Sequence, residues 1–180
     1  FSNILIKWYL QNKRDLPWRK TTNPYHIWLS EIMLQQTRVA QGTPYFFAFT
    51  EEFPTVFDLA NASEEQVLKL WQGLGYYSRA RNLHTTAQYV ANDLKGIFPP
   101  DYKELLKLKG VGEYTAAAIA SFSYNEAVPV VDGNVFRVLS RYFDIESDIS
   151  LPATNKEFTA MAQELMPKDN PAIFHHALID

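Results

Sequence analysis

Cysteine is absent from the 180 residues. That excludes a disulfide framework and any thiolate metal site within this stretch, and it fits an intracellular protein. Long apolar runs are missing too, since none approaches the ~20 residues of a membrane-spanning helix. No secretory leader pattern opens the chain; Phe1 begins directly in a helix-like pattern. Nor is there an excess of basic residues. The net charge of −3 argues against a globally basic nucleic-acid binder and leaves room for a local basic face. His26, His84, His175 and His176 have no compact ligand spacing, so metal-dependent hydrolysis is not indicated. Neither a GxSxG elbow nor a Walker A loop occurs. Strand-like alternation is nearly absent, and no repeat or low-complexity tract is found.

What remains is apolar and helical. Hydrophobic residues make up 47% and aromatics 14%, enough for a real core. Phe1, Ile4, Leu5 and Trp8 give the stripe of an amphipathic helix. A polar loop from Asn12 to Thr22 follows, and Asn23-Pro24 opens a helix over about Tyr25 to Val39. Thr43-Pro44 and Pro54-Thr55 start two more. Ser63 and Gln66 form a capping box for a helix to about Trp71. Gly73-Leu74-Gly75 breaks it, and Tyr76-Tyr77 begins a helix to about Leu94. Asp101 with Glu104, and Thr154 with Glu157, read as further capping boxes. Asn170-Pro171 opens the last helix. The pattern predicts an all-α protein of about ten helices.

Three features carry chemistry. Leu108-Lys109-Gly110-Val111-Gly112 is a glycine-marked hairpin between two helices. Its glycines let backbone approach a partner closely, and the helix behind it aims free N–H groups at an anion such as a nucleic-acid phosphate. An ordinary helix–turn–helix connection is the plainer reading of the same residues. Asp132 stands at the N-cap of the next helix, where the helix dipole and capping N–H groups favour an anion. Glu31 lies inside a helix between Ile27 and Leu34, on an apolar face where desolvation favours the neutral acid. A carboxylate bonded to backbone or arginine would also account for it. A proton donor and a fixed negative charge form the pair that cleaves a glycosidic bond through a cationic sugar. With a phosphate-binding hairpin beside them, the reading is hydrolysis of a base–sugar bond in DNA, with both carboxylates facing one cleft.

The hairpin followed by Val131-Asp132-Gly133-Asn134-Val135 resembles the helix-hairpin-helix glycosylase superfamily. Leu16-Pro17-Trp18-Arg19, Trp28-Leu29-Ser30-Glu31-Ile32-Met33-Leu34-Gln35-Gln36-Thr37 and Gly73-Leu74-Gly75-Tyr76-Tyr77-Ser78-Arg79-Ala80-Arg81-Asn82-Leu83 are more specific. Together they look like adenine DNA glycosylases of the MutY type, which remove adenine mispaired with 8-oxoguanine, and the resemblance covers essentially the whole chain. It implies a two-lobed fold. A six-helix barrel spans about residues 23–127, with its hairpin near 105–124; the other lobe joins residues 1–22 to 128–180, and the site lies between them.

By this resemblance Glu31 protonates adenine N7, and Asp132 faces the developing cation with the support of Asn134. Tyr114 stands where lyase relatives carry a Schiff-base lysine, which implies a monofunctional enzyme. Trp18, Arg19, Leu34 and His176 match the adenine pocket. Gln36 and Tyr76 match residues that wedge into the duplex, and Thr37, Arg79, Lys109, Gly110, Val111 and Gly112 fall among the DNA contacts. The implied partner is double-stranded DNA with an A:8-oxoguanine or A:G mismatch, met by a monomer inside the cell and away from membranes. Three departures stand out. Lys109 replaces a common proline, His176 replaces Gln or Glu, and the chain stops before the four cysteines of an iron–sulfur (4Fe-4S) cluster and the domain that reads 8-oxoguanine. The expectation is therefore a catalytic-core fragment with no metal or cofactor of its own, the cluster belonging to the full-length protein. The rivals are a glycosylase for thymine mismatches or oxidised pyrimidines, a non-catalytic helical DNA-binding module, and a helical protein-interaction scaffold.

Overall fold

Local side-chain chemistry starts most of the helices where it was expected. In the computed structural model, which describes residues 1–180, the chain forms α1 (Ser2–Asn12), a 3₁₀ turn (Pro17–Arg19), α2 (Pro24–Met33), α3 (Val39–Glu52), α4 (Val56–Asn61), α5 (Glu64–Trp71), α6 (Ser78–Asn92), α7 (Tyr102–Leu105), α8 (Glu113–Tyr124), α9 (Gly133–Phe143), α10 (Pro152–Leu165) and α11 (Pro171–Ile179). The protein is all-α, as its sequence pattern predicts. Asn23 caps α2 by accepting from the Tyr25 N–H, and Ser63 and Gln66 close a full capping box on α5. Each such cap contributes about 1 kcal/mol.

Three boundaries and one capping box differ from the sequence reading. α2 ends at Met33 rather than near Val39, because the chain turns through Leu34–Thr37 and Gln36 adopts φ +54°. α3 then starts at Val39, and Thr43 does not cap it: the Thr43 hydroxyl donates back to the Val39 carbonyl at 2.7 Å. α10 starts at Pro152, so Thr154 is buried and donates to the Asp148 carbonyl while Glu157 accepts from Ser147. Asp101 accepts from the Glu104 N–H, but the Glu104 carboxylate takes Lys107 instead of completing the box.

α8 is apolar around its whole circumference, and every residue from Thr115 to Phe122 is buried. A helix of that kind belongs at the centre of a fold. α2, α7 and α11 pack around it, and its alanines allow their close approach. The larger hydrophobic core runs from Leu16 to Val130 and contains the fully buried Trp28, Trp71, Phe49 and Phe98. Leu16 and Trp18 belong to it, although they precede residue 23; Trp18 stands edge-on to Phe46 at 5.5 Å. A second, smaller core joins Val135, Leu139, Phe158, Met166, Phe174 and Leu178, with Phe1, Leu5 and Ile6 packed on it. α1 reaches that core by lying against α11. α2, α8, α9 and α11 therefore meet, with the 3₁₀ turn, where the two cores adjoin.

Candidate active site

A cavity of about 440 Å³ opens at this junction. α2 supplies Ile27, Ser30, Glu31 and Leu34; the turn after it supplies Gln35, Gln36 and Thr37. α8 contributes Tyr114 and Phe122, the start of α9 contributes Asp132 and Asn134, and α11 contributes His176. Arg14, Trp18 and Arg19 enter from the N-terminal loop. The cavity thus collects ten of the residues singled out from the sequence: Trp18, Arg19, Glu31, Leu34, Gln36, Thr37, Tyr114, Asp132, Asn134 and His176.

Glu31 is half-buried, and it lines the cavity wall. Burial pushes its carboxyl up from 4.5 to about 7, and the negative charge of Asp132 adds to the shift. The Tyr114 hydroxyl and the Arg19 guanidinium pull the other way without cancelling it. Near neutral pH a large fraction of this group therefore still holds its proton. Tyr114 faces Glu31 and affects its acidity as a donor would, although the contact falls short of the strict geometry of the bonds at Asp132. Burial, and then the charges of Glu31 and Asp132, raise the phenol well above its ordinary range, so it stays neutral.

Asp132 is fixed by its position as N-cap. Its Oδ1 accepts from the Asn134 and Val135 N–H groups at 2.9 Å each, and its Oδ2 accepts from Asn134 Nδ2 at 2.9 Å. Three donors on one carboxyl leave it little freedom to turn. Asn134 is the bracket that holds it.

The opposite wall is aromatic and cationic. His176 stacks on Phe122 with centroids 4.0 Å apart and planes 12° apart, and more loosely on Tyr9. Burial, then the nearby Arg19 charge, depresses its imidazole to about 3, and its Nδ1 has no partner. It is therefore a neutral ring with an open hydrogen-bonding atom. Arg19 pairs with Asp180 at 2.9 Å, and Arg14 Nε donates to the same carboxylate at 2.6 Å.

Six of the expected residues lie away from the cavity. Tyr76 is exposed and adopts φ +48°. Val111 is buried, and its N–H donates to the Leu108 carbonyl, so its side chain serves the core. Gly110 adopts φ +79°, and a Cβ there would meet Asn82 at 2.9 Å. Gly112 is the N-cap of α8, and Lys109 is exposed with its carbonyl bonded to Thr86. Arg79 spends its guanidinium on backbone carbonyls rather than offering it to solvent. A small cleft of about 60 Å³ brings Gln35, Arg79, Lys109 and Gly110 together. Gln35 borders both spaces and links the hairpin side to the main cavity.

Sequence reasoning missed Phe122, Gln35, Arg14 and Asp180. Phe122 was findable, since it follows Tyr114 by two helical turns and shares its face. Asp180 was not, because its arginine partners lie 160 or more positions away.

An all-helical fold with a glycine hairpin, and a carboxylate pair in a cavity between two cores, defines the helix-hairpin-helix class of base-excision proteins. Residues 29–168 match the model for HhH-GPD superfamily base excision DNA repair proteins, and the chain belongs to that family. It is 43% identical over 189 residues to the adenine DNA glycosylase of Homo sapiens, with 100% of this chain and 35% of that protein covered. It is 39% identical over 181 residues to the adenine DNA glycosylase of Buchnera aphidicola, with 100% of this chain and 52% of that protein covered. The chain spans about half the length of such relatives, or less. Among solved structures it resembles a thermostable thymine-DNA glycosylase at TM-score 0.90 and 29% identity, covering 100% of this chain and 83% of that one. A non-covalent endonuclease III–DNA complex gives TM-score 0.81 at 23% identity, with 99% and 80% covered, a likeness of fold.

Proposed function

We propose that the chain is the catalytic core of an adenine DNA glycosylase, hydrolysing the N-glycosidic bond of adenine opposite 8-oxoguanine or guanine. One observation carries this reading. A carboxyl held protonated to about 7 shares a cavity with a carboxyl pinned by three N–H donors. The match to curated adenine DNA glycosylases over the whole chain supports the choice of base.

The substrate base must leave the duplex to reach such a cavity. Its ring is suited to the face formed by Trp18, Leu34 and the His176–Phe122 stack. Glu31 gives its proton to N7, so the C1′–N9 electron pair departs with a neutral adenine. Asp132 stabilises the oxocarbenium ion that remains. Water adds at C1′ and passes a proton to the Glu31 carboxylate, leaving an abasic site, free adenine and the acid restored. Tyr114 carries no amine and cannot form the iminium of a lyase, so the strand stays intact. Its neutral hydroxyl faces Glu31 and partly offsets the rise in that carboxyl's pKa. Gln36, Thr37 and Tyr76, with the Lys109–Gly112 hairpin, hold the duplex. A mismatched DNA duplex inside the cell is the expected partner, bound by a monomer.

Family membership implies an iron–sulfur (4Fe-4S) cluster in a longer protein. Such clusters take cysteine thiolates. These residues include no cysteine and no group of three or more metal-ligating side chains, so they do not fit one, and no step above passes through it.

The likeness to a thymine-DNA glycosylase favours a second reading, removal of thymine from G:T pairs. Single-turnover assays of base release from A:8-oxoguanine, A:G and G:T duplexes separate the two. Release of adenine from the first two supports the proposal. Release of thymine without adenine would overturn it.

A further inference from the structure

We infer that Arg79 is a positioning residue whose single guanidinium ties together the two turns that present Gln36 and Tyr76, setting the spacing of the two side chains that enter the duplex. The inference rests on the proposed reading that this protein opens DNA to reach a base.

Gln36 and Tyr76 are exposed and both adopt the left-handed backbone conformation, with φ of 54° and 48°. Non-glycine residues rarely sit there without support from their surroundings. One side chain reaches both turns. Arg79 Nη1 donates to the carbonyls of Ile32, Met33 and Gln35 at 3.0, 3.3 and 2.7 Å. Its Nη2 donates to those of Leu74 and Gly75 at 3.2 and 3.3 Å. The carbonyls of Gln35 and Gly75 come immediately before the two left-handed residues. The carbonyls of Ile32 and Met33 are last-turn groups of α2, and that of Ile32 also accepts from the Gln35 N–H at 3.4 Å.

The bracket is anchored in the core. The Arg79 guanidinium lies over the Trp71 ring at 5.1 Å and over the Tyr76 ring at 5.7 Å. Trp71 is fully buried, and its Nε1 donates to the same Gly75 carbonyl at 3.0 Å. The only Arg79 nitrogen without a partner, Nε, is itself buried. No donor of this arginine is left for a phosphate. A lysine would keep the charge, but its point-like ammonium cannot span two turns as a planar fork does.

The test is Arg79→Lys in the intact protein, followed by amide hydrogen exchange without DNA. Exchange at residues 34–37 and 74–77 should rise together, by about tenfold or more, while α8 and α9 are unchanged. Binding to undamaged duplex should keep its salt dependence. The rise in 2-aminopurine fluorescence at the target position should shrink, and mismatch discrimination should fall. Adding Arg79→Lys to Tyr76→Ala should cost little more than Tyr76→Ala alone. Exchange that rises in neither turn, or in one only, overturns the inference. So does a salt slope reduced by about one, the mark of a lost phosphate contact. Changed discrimination in Tyr76→Ala beside a wild-type Arg79→Lys overturns the bracket alone. Unchanged discrimination in Tyr76→Ala overturns the inference through its premise. Should the lysine variant fold poorly, NMR of the wild-type guanidinium decides. Slowly rotating Nη groups both free and on DNA support the bracket, and groups that become slow only on DNA contradict it.

Discussion

The proton on Glu31 is held against the interest of the fold. In an unfolded chain this carboxyl ionises near 4.5, and in the cavity near 7. Below 4.5 both states are protonated and the site costs nothing. Between the two values the unfolded chain releases a proton that the folded chain keeps, so stability falls as pH rises; the loss is complete above about 7. Allowing for water in the open cavity, the cost is on the order of 1–3 kcal/mol. Glu31→Gln, which never ionises, should be more stable than wild type by that amount at pH 8 and no more stable at pH 4. Denaturant unfolding at the two pH values measures it, and equal stability at pH 8 would show that the carboxyl is well solvated. If the same proton is the one given to the base, as proposed, single-turnover base release should level off below about pH 7 and fall roughly tenfold per unit above it.

At the scale of the element, the N-terminus of α9 does two jobs through one residue. Asp132 caps the helix and is the proposed counter-charge to the sugar cation, and substitutions can separate the roles. Asn caps about as well as Asp, so Asp132→Asn should keep the wild-type unfolding midpoint yet lose about 10²-fold or more in base release. Asp132→Ala should lose a similar factor in rate and, in addition, about 1 kcal/mol of stability. A Asp132→Asn protein with full activity would reassign the carboxylate to capping alone. Helix starts of this kind were legible because a cap is a contact between residues two or three positions apart, as at Asn23, Ser63 and Asp132. The break after Met33 was not. Gln36 turns the chain in a left-handed conformation that usually advertises itself with glycine or asparagine, and its support comes from Arg79, 43 positions on. Thr43 and Thr154 misled for a related reason: a threonine hydroxyl caps a helix or bonds back to a carbonyl with equal ease, and only the fold decides.

Across the whole molecule, the site is an effect of packing between two cores, and no single stretch contains it. α2 and α8 bring Glu31 and Tyr114 from the larger core, while α9 and α11 bring Asp132 and His176 from the smaller. The two carboxyls that meet in the cavity were legible because each is out of character for its local pattern: an acid on an apolar helix face, a carboxylate before a helix. The residues that hold them were not legible. Arg79 read as one more cation for DNA until its five carbonyl partners appeared. Asp180 acquires its partners Arg14 and Arg19 only when the chain's two ends meet.

Proton delivery by Glu31 is the point on which everything else depends, and adenine release by Glu31→Gln is its most direct test. The measurement is single-turnover release from an A:8-oxoguanine duplex by the intact protein, with duplex affinity measured in parallel. The amide keeps the shape of the cavity and cannot give a proton, so the rate should fall by about 10²–10⁴-fold while affinity stays near wild type. A rate near that of wild type, with binding intact, would contradict the account.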